Sequence, residues 1–311
     1  HNAVHIKDER YGPTSSFKDR QAAVGVAAMV EAGVKEAVIA STGNAAVAYA
    51  AACARAGIKL WVFMTSLVPQ EKLREAALFG AEVIRVSGNY DQTKQIAAQF
   101  AQRRQLFLDR GAGSLPARES MKTIAYEIVE QLGWRSPDWY IQAVSGGLGP
   151  LGVYQGFKEL FQMGLIDRIP KLAIIQTEGC APMVRAFKAG RDTATPVIPD
   201  TCIIILSTGD PGSSYNYLWR LTQQFGGTME AVTDAEAFAA MRSLAKSEGM
   251  AVEPATAVAF AGLEKMIRQQ IIRPDEQVVV NCTGHTFPVE KHVLGDQWAV
   301  DVHLSEGQAA A

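Results

Sequence analysis

The chain predicts an α/β protein of two domains, each an open parallel sheet with helices on both faces, and three observations carry that class. Short apolar strands alternate with helical patterns of roughly ten to fifteen residues along most of the chain. Glycine turns stand where strands give way to helices, at Ser41-Thr42-Gly43-Asn44-Ala45 and at Ser145-Gly146-Gly147-Leu148-Gly149. The 311 residues are 48% hydrophobic, which allows a core large enough to be shared between two domains. The expected division is a smaller α/β domain over residues 20–130 and a larger one over 1–19 and 131–311.

Composition removes several function classes. The 30 basic and 32 acidic residues nearly cancel, and no basic block alternates with aromatics, so nucleic acid is not an expected partner. The longest uncharged apolar run, Ala45 to Ala54, ends at Arg55, well short of a membrane span, and no membrane association is expected. Cys53, Cys180, Cys202 and Cys282 are far apart with no paired ligand spacing. With no signal peptide, they read as reduced thiols of a cytoplasmic protein rather than as disulfides or a metal site.

In chain order, Val4 to Lys7 alternates as a short strand. Gly12-Pro13-Thr14-Ser15-Ser16-Phe17-Lys18-Asp19-Arg20-Gln21 then brings one lysine to a turn-to-helix junction. Pro13 fixes the entry, Thr14, Ser15 and Ser16 offer capping hydroxyls, and the stretch after Arg20 is helical. In that first turn the unpaired amides and the helix dipole disfavour an ammonium, which suits an amine that must form a Schiff base. Glu36 to Ala40 is a buried strand running into Ser41 to Ala45, and strand, glycine turn and helix start together make an anion cradle. Three further strands follow at Leu60 to Met64, Glu82 to Val86 and Leu106 to Asp109, with helices from Gln70 and Gln92. Trp139 to Val144 runs into Ser145-Gly146-Gly147-Leu148-Gly149-Pro150, a nest of backbone amides suited to phosphate. It is neither a Walker loop nor a dinucleotide fingerprint, since no Gly-Lys-Ser/Thr and no spaced acidic residue follow. Lys171 to Gln176 is the next strand, 190–215 reads as a long connection, Ala251 to Leu263 opens a helix at Pro254, and Glu276 to Asn281 is the last core strand.

Several of these strings resemble one family. PTSSFKDR is similar to the P-T-x-S-F-K-D-R signature of the threonine synthase family, whose lysine carries pyridoxal 5'-phosphate. Lys7-Asp8-Glu9 resembles that family's V-K-D-E, and Leu115-Pro116-Ala117-Arg118-Glu119-Ser120-Met121-Lys122-Thr123 its N-P-Y-R-x-E-G-Q-K-T. Glu253-Pro254-Ala255-Thr256-Ala257 is similar to its E-P-x-[ST]-A, and Cys282-Thr283-Gly284-His285 stands at its T-G-H-G. Departures fall at Leu115, Ala117, Ser120 and Met121, in the SGGLGP loop where G-N-x-G-N is usual, and over Thr286 to Lys291.

The resemblance implies the tryptophan synthase β-like fold and assigns roles. Lys18 binds the cofactor and is the catalytic residue; Ser145, Gly146, Gly147, Leu148 and Gly149 hold its phosphate; Asn44 lies beside its ring oxygen; Thr283 meets its pyridine nitrogen. A hydroxyl partner there leaves that nitrogen largely uncharged. Ser41, Thr42, Gly43, Asn44 and Ala45 take the substrate carboxylate, and Lys7 and Arg118 its phosphate. The implied activity is a carbon–oxygen lyase turning O-phosphohomoserine and water into threonine and phosphate, in a homodimer. Two other enzymes share these features, a β-replacement on O-phosphoserine of the cysteate synthase kind and a serine/threonine dehydratase, as does a catalytically silent ligand-binding chain. The family also implies a longer leading segment ahead of the cofactor lysine.

Overall fold

A computed structural model describes residues 4–286 and 300–302. They form two compact units, one of residues 4–11 with 118–286 and one of residues 12–117 with 300–302. The chain passes between units at Tyr11–Gly12 and Ala117–Arg118, so Lys18 belongs to the second unit, whereas the division expected from sequence set residues 1–19 with the larger domain.

The first unit holds a five-stranded sheet in the order β1 (Val4–Asp8), β9 (Val278–Cys282), β6 (Trp139–Ala143), β7 (Lys171–Thr177) and β8 (Gly227–Val232). Every neighbouring pair is parallel. All five residues of β6 and of β9 are buried, as strands covered on both faces must be. The helix α11 (Pro254–Arg268), Ala-rich in its first half, contributes much of the core. Its Gly262 comes so close to β7 that an added Cβ would stand 2.6 Å from Ile175. Three elements were not foreseen: β8 and the helices α9 (Ser213–Phe225) and α10 (Asp234–Glu248). The helix α10 is closed by a capping box of Thr233 and Glu236.

The second unit also carries five parallel strands, in the order β10 (Val300–Val302), β4 (Glu82–Val86), β3 (Lys59–Thr65), β2 (Glu36–Ser41) and β5 (Phe107–Leu108). Its helices α1 (Lys18–Glu31), α2 (Asn44–Ala56), α3 (Gln70–Leu78) and α4 (Tyr90–Arg104) alternate with those strands in sequence. Lys18 and Asn44 in the second unit, and Ser145 to Gly149 and Thr283 in the first, stand where parallel strands end or helices begin, the edge at which open α/β sheets collect ligands.

Candidate active site

In the second unit, Lys18 is the first residue of α1 and is half-buried, with Nζ 4.4 Å from the centre of the Phe17 ring. The expected hydroxyl caps are not formed. Phe17 occupies the N-cap with helical backbone and no side-chain hydrogen bond. Instead the carboxylate of Asp19, in the first turn, reaches back to accept from the Thr14 amide at 2.9 Å and the Thr14 hydroxyl at 2.6 Å. These bonds tie the incoming turn to α1, and an acid in the first turn complements the dipole. Gly12 leaves room for it, since a Cβ there would lie 2.3 Å from Asp19 Oδ2.

Three residues that sequence reasoning did not single out lie in the same unit as Lys18. Tyr49, on α2, donates its hydroxyl hydrogen to Asp109 Oδ2 at 2.9 Å, and Gln21 Nε2, on α1, donates to the Tyr49 oxygen at 3.5 Å. The Gly111 amide donates to the other oxygen of Asp109 at 2.8 Å. Burial raises the Asp109 carboxyl above its ordinary range, while those two hydrogen bonds and the charge of Lys18 pull against it. An isolated aspartate at a strand end gives no signal of this in the sequence; only the fold sets α2 behind it.

The Ser41 to Ala45 turn follows β2 as expected. Gly43 adopts φ 146°, a conformation closed to other residues, and caps α2. The Ser41 hydroxyl accepts from the amides of Gly43 and Ala46, both at 3.1 Å. Two amides of the expected anion cradle are therefore committed within the protein. Asn44 is buried at the first position of α2.

In the first unit, Ser145 to Gly149 leaves the end of β6 and enters α7 (Leu148–Gln162). Gly147 is the N-cap with φ 84°, and a Cβ on it would meet Leu218 at 2.7 Å. Nothing stands within 4 Å of the place a Gly146 Cβ would take. One side of the turn is thus packed against protein and the other is clear of side chains. On the turn's flank, Ser145 Oγ lies 2.5 Å from Thr208 Oγ1, a buried hydroxyl contributed by the long connection and also not foreseen. Gly149 backs onto the buried amide of Gln142, which accepts a hydrogen bond from Tyr140 at 2.7 Å.

Thr283 follows β9 on the adjacent strand and is buried; its hydroxyl faces Glu253 Oε1 at 2.8 Å and Thr256 Oγ1 at 2.9 Å. Lys7 lies on β1 in register with Asn281, and its ammonium is held by Glu127 Oε2 at 2.5 Å, with Glu9 at 3.8 Å. Arg118 is on the short helix α5 (Leu115–Ser120), and its Nε is shut away from water with no hydrogen-bond acceptor. Lys122 and Thr123, the other matches of that motif, are structural: Lys122 is paired with Glu119 and with Glu159, and Thr123 donates to the Ser120 carbonyl at 2.7 Å. His285 Nδ1 donates to the Thr286 carbonyl at 2.8 Å, and the sequence departures from Phe287 to Lys291 lie outside the described residues. Tyr215 is buried with its hydroxyl on the Arg191 carbonyl, whereas Tyr217 is exposed.

These residues suit a cofactor that joins an aldehyde to a phosphate. Phosphate needs converging backbone amides and no side chain in front of them, which the clear face at Gly146 and the start of the fifteen-residue helix α7 provide. An aldehyde needs an amine out of bulk water, which Lys18 offers. The parallel sheets with an amide nest and a half-buried lysine define the chain as an α/β enzyme built around a phosphate-bearing aldehyde cofactor. Residues 1–284 match the pyridoxal-phosphate dependent enzyme family, and the chain belongs to it. It is 39% identical over 285 residues to the threonine synthase of Methanocaldococcus jannaschii, covering 91% of this chain and 70% of that one. To the threonine synthase of Methanosarcina acetivorans it is 36% identical over 294 residues, covering 94% and 72%. The fold is shared with a fungal L-serine ammonia-lyase from Rhizomucor miehei, with a TM-score of 0.79 at 22% identity over 92% of this chain and 89% of that one.

Proposed function

We propose that the protein is a threonine synthase-like lyase that takes O-phosphohomoserine and water to threonine and phosphate. Similarity to enzymes named threonine synthase over nine-tenths of the chain supports the reaction class. The observation that carries the phosphorylated substrate is Arg118, a guanidinium whose Nε is out of water and lacks an acceptor in the protein. A guanidinium N–H left in that state suits an incoming phosphate ester, which would take the hydrogen bond the protein withholds. Lys7 serves the same anion less strongly, since Glu127 holds its charge.

Bound at Lys18, pyridoxal phosphate supplies an electron sink for negative charge at the substrate's Cα. The chain supplies the rest. The Ser145 to Gly149 amides would hold the cofactor phosphate, and Asn44 and Thr283 would serve its ring oxygen and ring nitrogen. The Ser41 to Ala45 turn binds the substrate carboxylate through the amides between Gly43 and Ala46. The Lys18 amine, when free, would be the base that takes the proton from Cα and returns it. The working protein is a cytoplasmic homodimer.

The experiment is a comparison of products. Phosphate release from O-phosphohomoserine should exceed phosphate release from O-phosphoserine and ammonia release from threonine by at least a hundredfold in kcat/KM. A preference for O-phosphoserine with sulfite, or for unphosphorylated threonine, would replace this reading with a β-replacement or a dehydratase. Loss of the cofactor absorbance band in Lys18→Ala distinguishes any of these enzymes from a silent fold.

A further inference from the structure

The first turn of α7 has fewer donors to offer an anion than its glycines suggest. Its N-cap, Gly147, makes no side-chain cap, and the third residue of the helix is Pro150, which has no N–H. Leu148 and Gly149 keep their amides, but the next one, that of Leu151, is already spent on the Gly147 carbonyl at 3.3 Å. A phosphate brings three strong acceptor oxygens to such a turn, so a side-chain donor beside the amides is called for.

The Ser145 hydroxyl stands in that place, and its neighbour decides where its proton goes. Ser145 Oγ and Thr208 Oγ1 are 2.5 Å apart, a contact in which either could donate. Burial chooses between them. Thr208 is only 4% exposed, and among the described residues its hydroxyl meets no oxygen but that of Ser145. Were Ser145 the donor, the Thr208 proton would be shut in without an acceptor, whereas Ser145, which is half-buried, has an open side. Thr208 therefore donates to Ser145 Oγ, and the Ser145 proton points away from Thr208. Beside it, nothing stands within 4 Å of the place a Gly146 Cβ would take.

Thr208 is held on both sides. Before it, the Leu206 and Ser207 amides close onto the Ile203 and Ile204 carbonyls at 2.9 and 3.0 Å, and the Ser207 hydroxyl is spent on the Ile204 carbonyl at 2.6 Å. After it, the Gly209 carbonyl accepts from the Val197 amide at 3.0 Å. The long connection thus delivers one fixed hydroxyl to the flank of the turn, while Leu218 and Met183 back the turn at Gly147.

We propose that Thr208 is a positioning residue for the cofactor phosphate: by donating to Ser145 it turns the Ser145 O–H toward the anion and so replaces the donor that Pro150 withholds. This rests on the reading that the turn from Ser145 to Gly149 holds that phosphate.

The test titrates the full chain, stripped of cofactor, with pyridoxal phosphate and with pyridoxal, which lacks the phosphate, and follows absorbance. Thr208→Val keeps the shape and removes the hydroxyl. Its affinity for pyridoxal phosphate should fall about fivefold or more, the scale of one net hydrogen bond, while its affinity for pyridoxal stays within about twofold of wild type. Thr208→Ser, which returns the hydroxyl, should restore the lost affinity. Ser145→Ala should lose at least as much as Thr208→Val, and the double variant no more than Ser145→Ala alone, because the two hydroxyls act in series. Equal losses for both ligands, no loss for either, or additive losses in the double variant overturn the proposal; Thr208→Ala is read in the same way if Thr208→Val does not fold. A wild type that binds pyridoxal as tightly as pyridoxal phosphate sinks the phosphate reading of the turn, whereas a wild type that prefers pyridoxal phosphate, with Thr208→Val unchanged, sinks only the role of Thr208.

Discussion

Tyr49 and Asp109 are joined by a 2.9 Å hydrogen bond in which a phenol from α2 serves a buried carboxylate at the end of β5. Burial pushes both groups up: the Tyr49 phenol lies far above its usual range and the Asp109 carboxyl above its own. The phenol stays protonated and is the donor that makes the carboxylate tolerable there. Lys18 supplies the nearby positive charge that acts on Asp109. Tyr49→Phe removes the donor and leaves an acceptor unmet, which costs about 1–3 kcal/mol. At about 2–4 °C per kcal/mol this should be visible as a lower Tm by calorimetry, with no change in the far-ultraviolet circular dichroism of the folded state.

Asp109→Asn should change how stability depends on pH. A carboxyl whose folded pKa is raised is stabilised when protonated, so its unfavourable contribution appears as pH rises through the folded pKa and vanishes below the unfolded value. The neutral amide avoids that contribution at every pH. Both carboxylate oxygens accept hydrogen bonds, so the amide, with one acceptor and one donor, carries a constant cost, and the Tm of the variant relative to wild type should rise between about pH 4, the ordinary aspartate range, and pH 8. A gap that stays constant with pH would show that Asp109 is not the titrating group.

Gly147→Ala tests the phosphate nest. The residue has φ 84°, where an alanine costs about 1–2 kcal/mol, and its Cβ would also press on the fully buried Leu218. The turn would relax and its amides diverge. Cofactor affinity should fall at least tenfold by absorbance titration, while Gly146→Ala, with clear space at its Cβ, should lose affinity only if that space is where the phosphate sits.

The parallel sheets and the glycine turns were legible in the sequence because their signals are local. Buried strands such as Trp139–Ala143 are apolar throughout, and Gly43 and Gly147 mark backbone that other residues avoid. Gly227–Val232 was missed because its inner strand residues alternate with Glu230, whose carboxylate is buried against Lys188 at 2.8 Å. A buried carboxylate held by an exposed lysine reads as solvent-facing in a linear pattern. The caps at Thr14 to Ser16 do not form: hydroxyls before a helix look like caps, but Phe17 stands at the N-cap and the Thr14 hydroxyl is spent on the Asp19 carboxylate. Nothing local distinguishes Asp109 or Thr208 from surface polar residues, since the side chains they bond lie 60 and 63 positions away.

Arg118→Ala separates phosphate recognition from chemistry. If the guanidinium holds the phosphate ester, the variant should raise KM for O-phosphohomoserine at least tenfold and leave the cofactor band unchanged. Inorganic phosphate should also lose its power to inhibit. An Arg118→Lys variant restores the charge but not the fork, and partial recovery would show that geometry matters as well as charge.

Acid sensitivity should centre on Glu276, at the start of the strand β9 region. Burial pushes its carboxyl up, but the Lys171 ammonium at 2.8 Å, the Arg273 amide at 2.8 Å and the Trp139 indole at 3.0 Å outweigh burial and hold it down at about 2. A depressed carboxyl contributes stability that is complete above its unfolded value of 4.5 and is lost as pH falls toward 2. Glu276→Gln keeps the shape but gives up the charge, costing about 1.5–3 kcal/mol at neutral pH. Thermal melts of both proteins from pH 7 to pH 2 should therefore show a gap that is widest at neutral pH and shrinks between pH 4.5 and 2, because only wild type has this charge to lose. Parallel curves across that window would mean that the Lys171 and Trp139 contacts stabilise the sheet without the carboxylate being ionised.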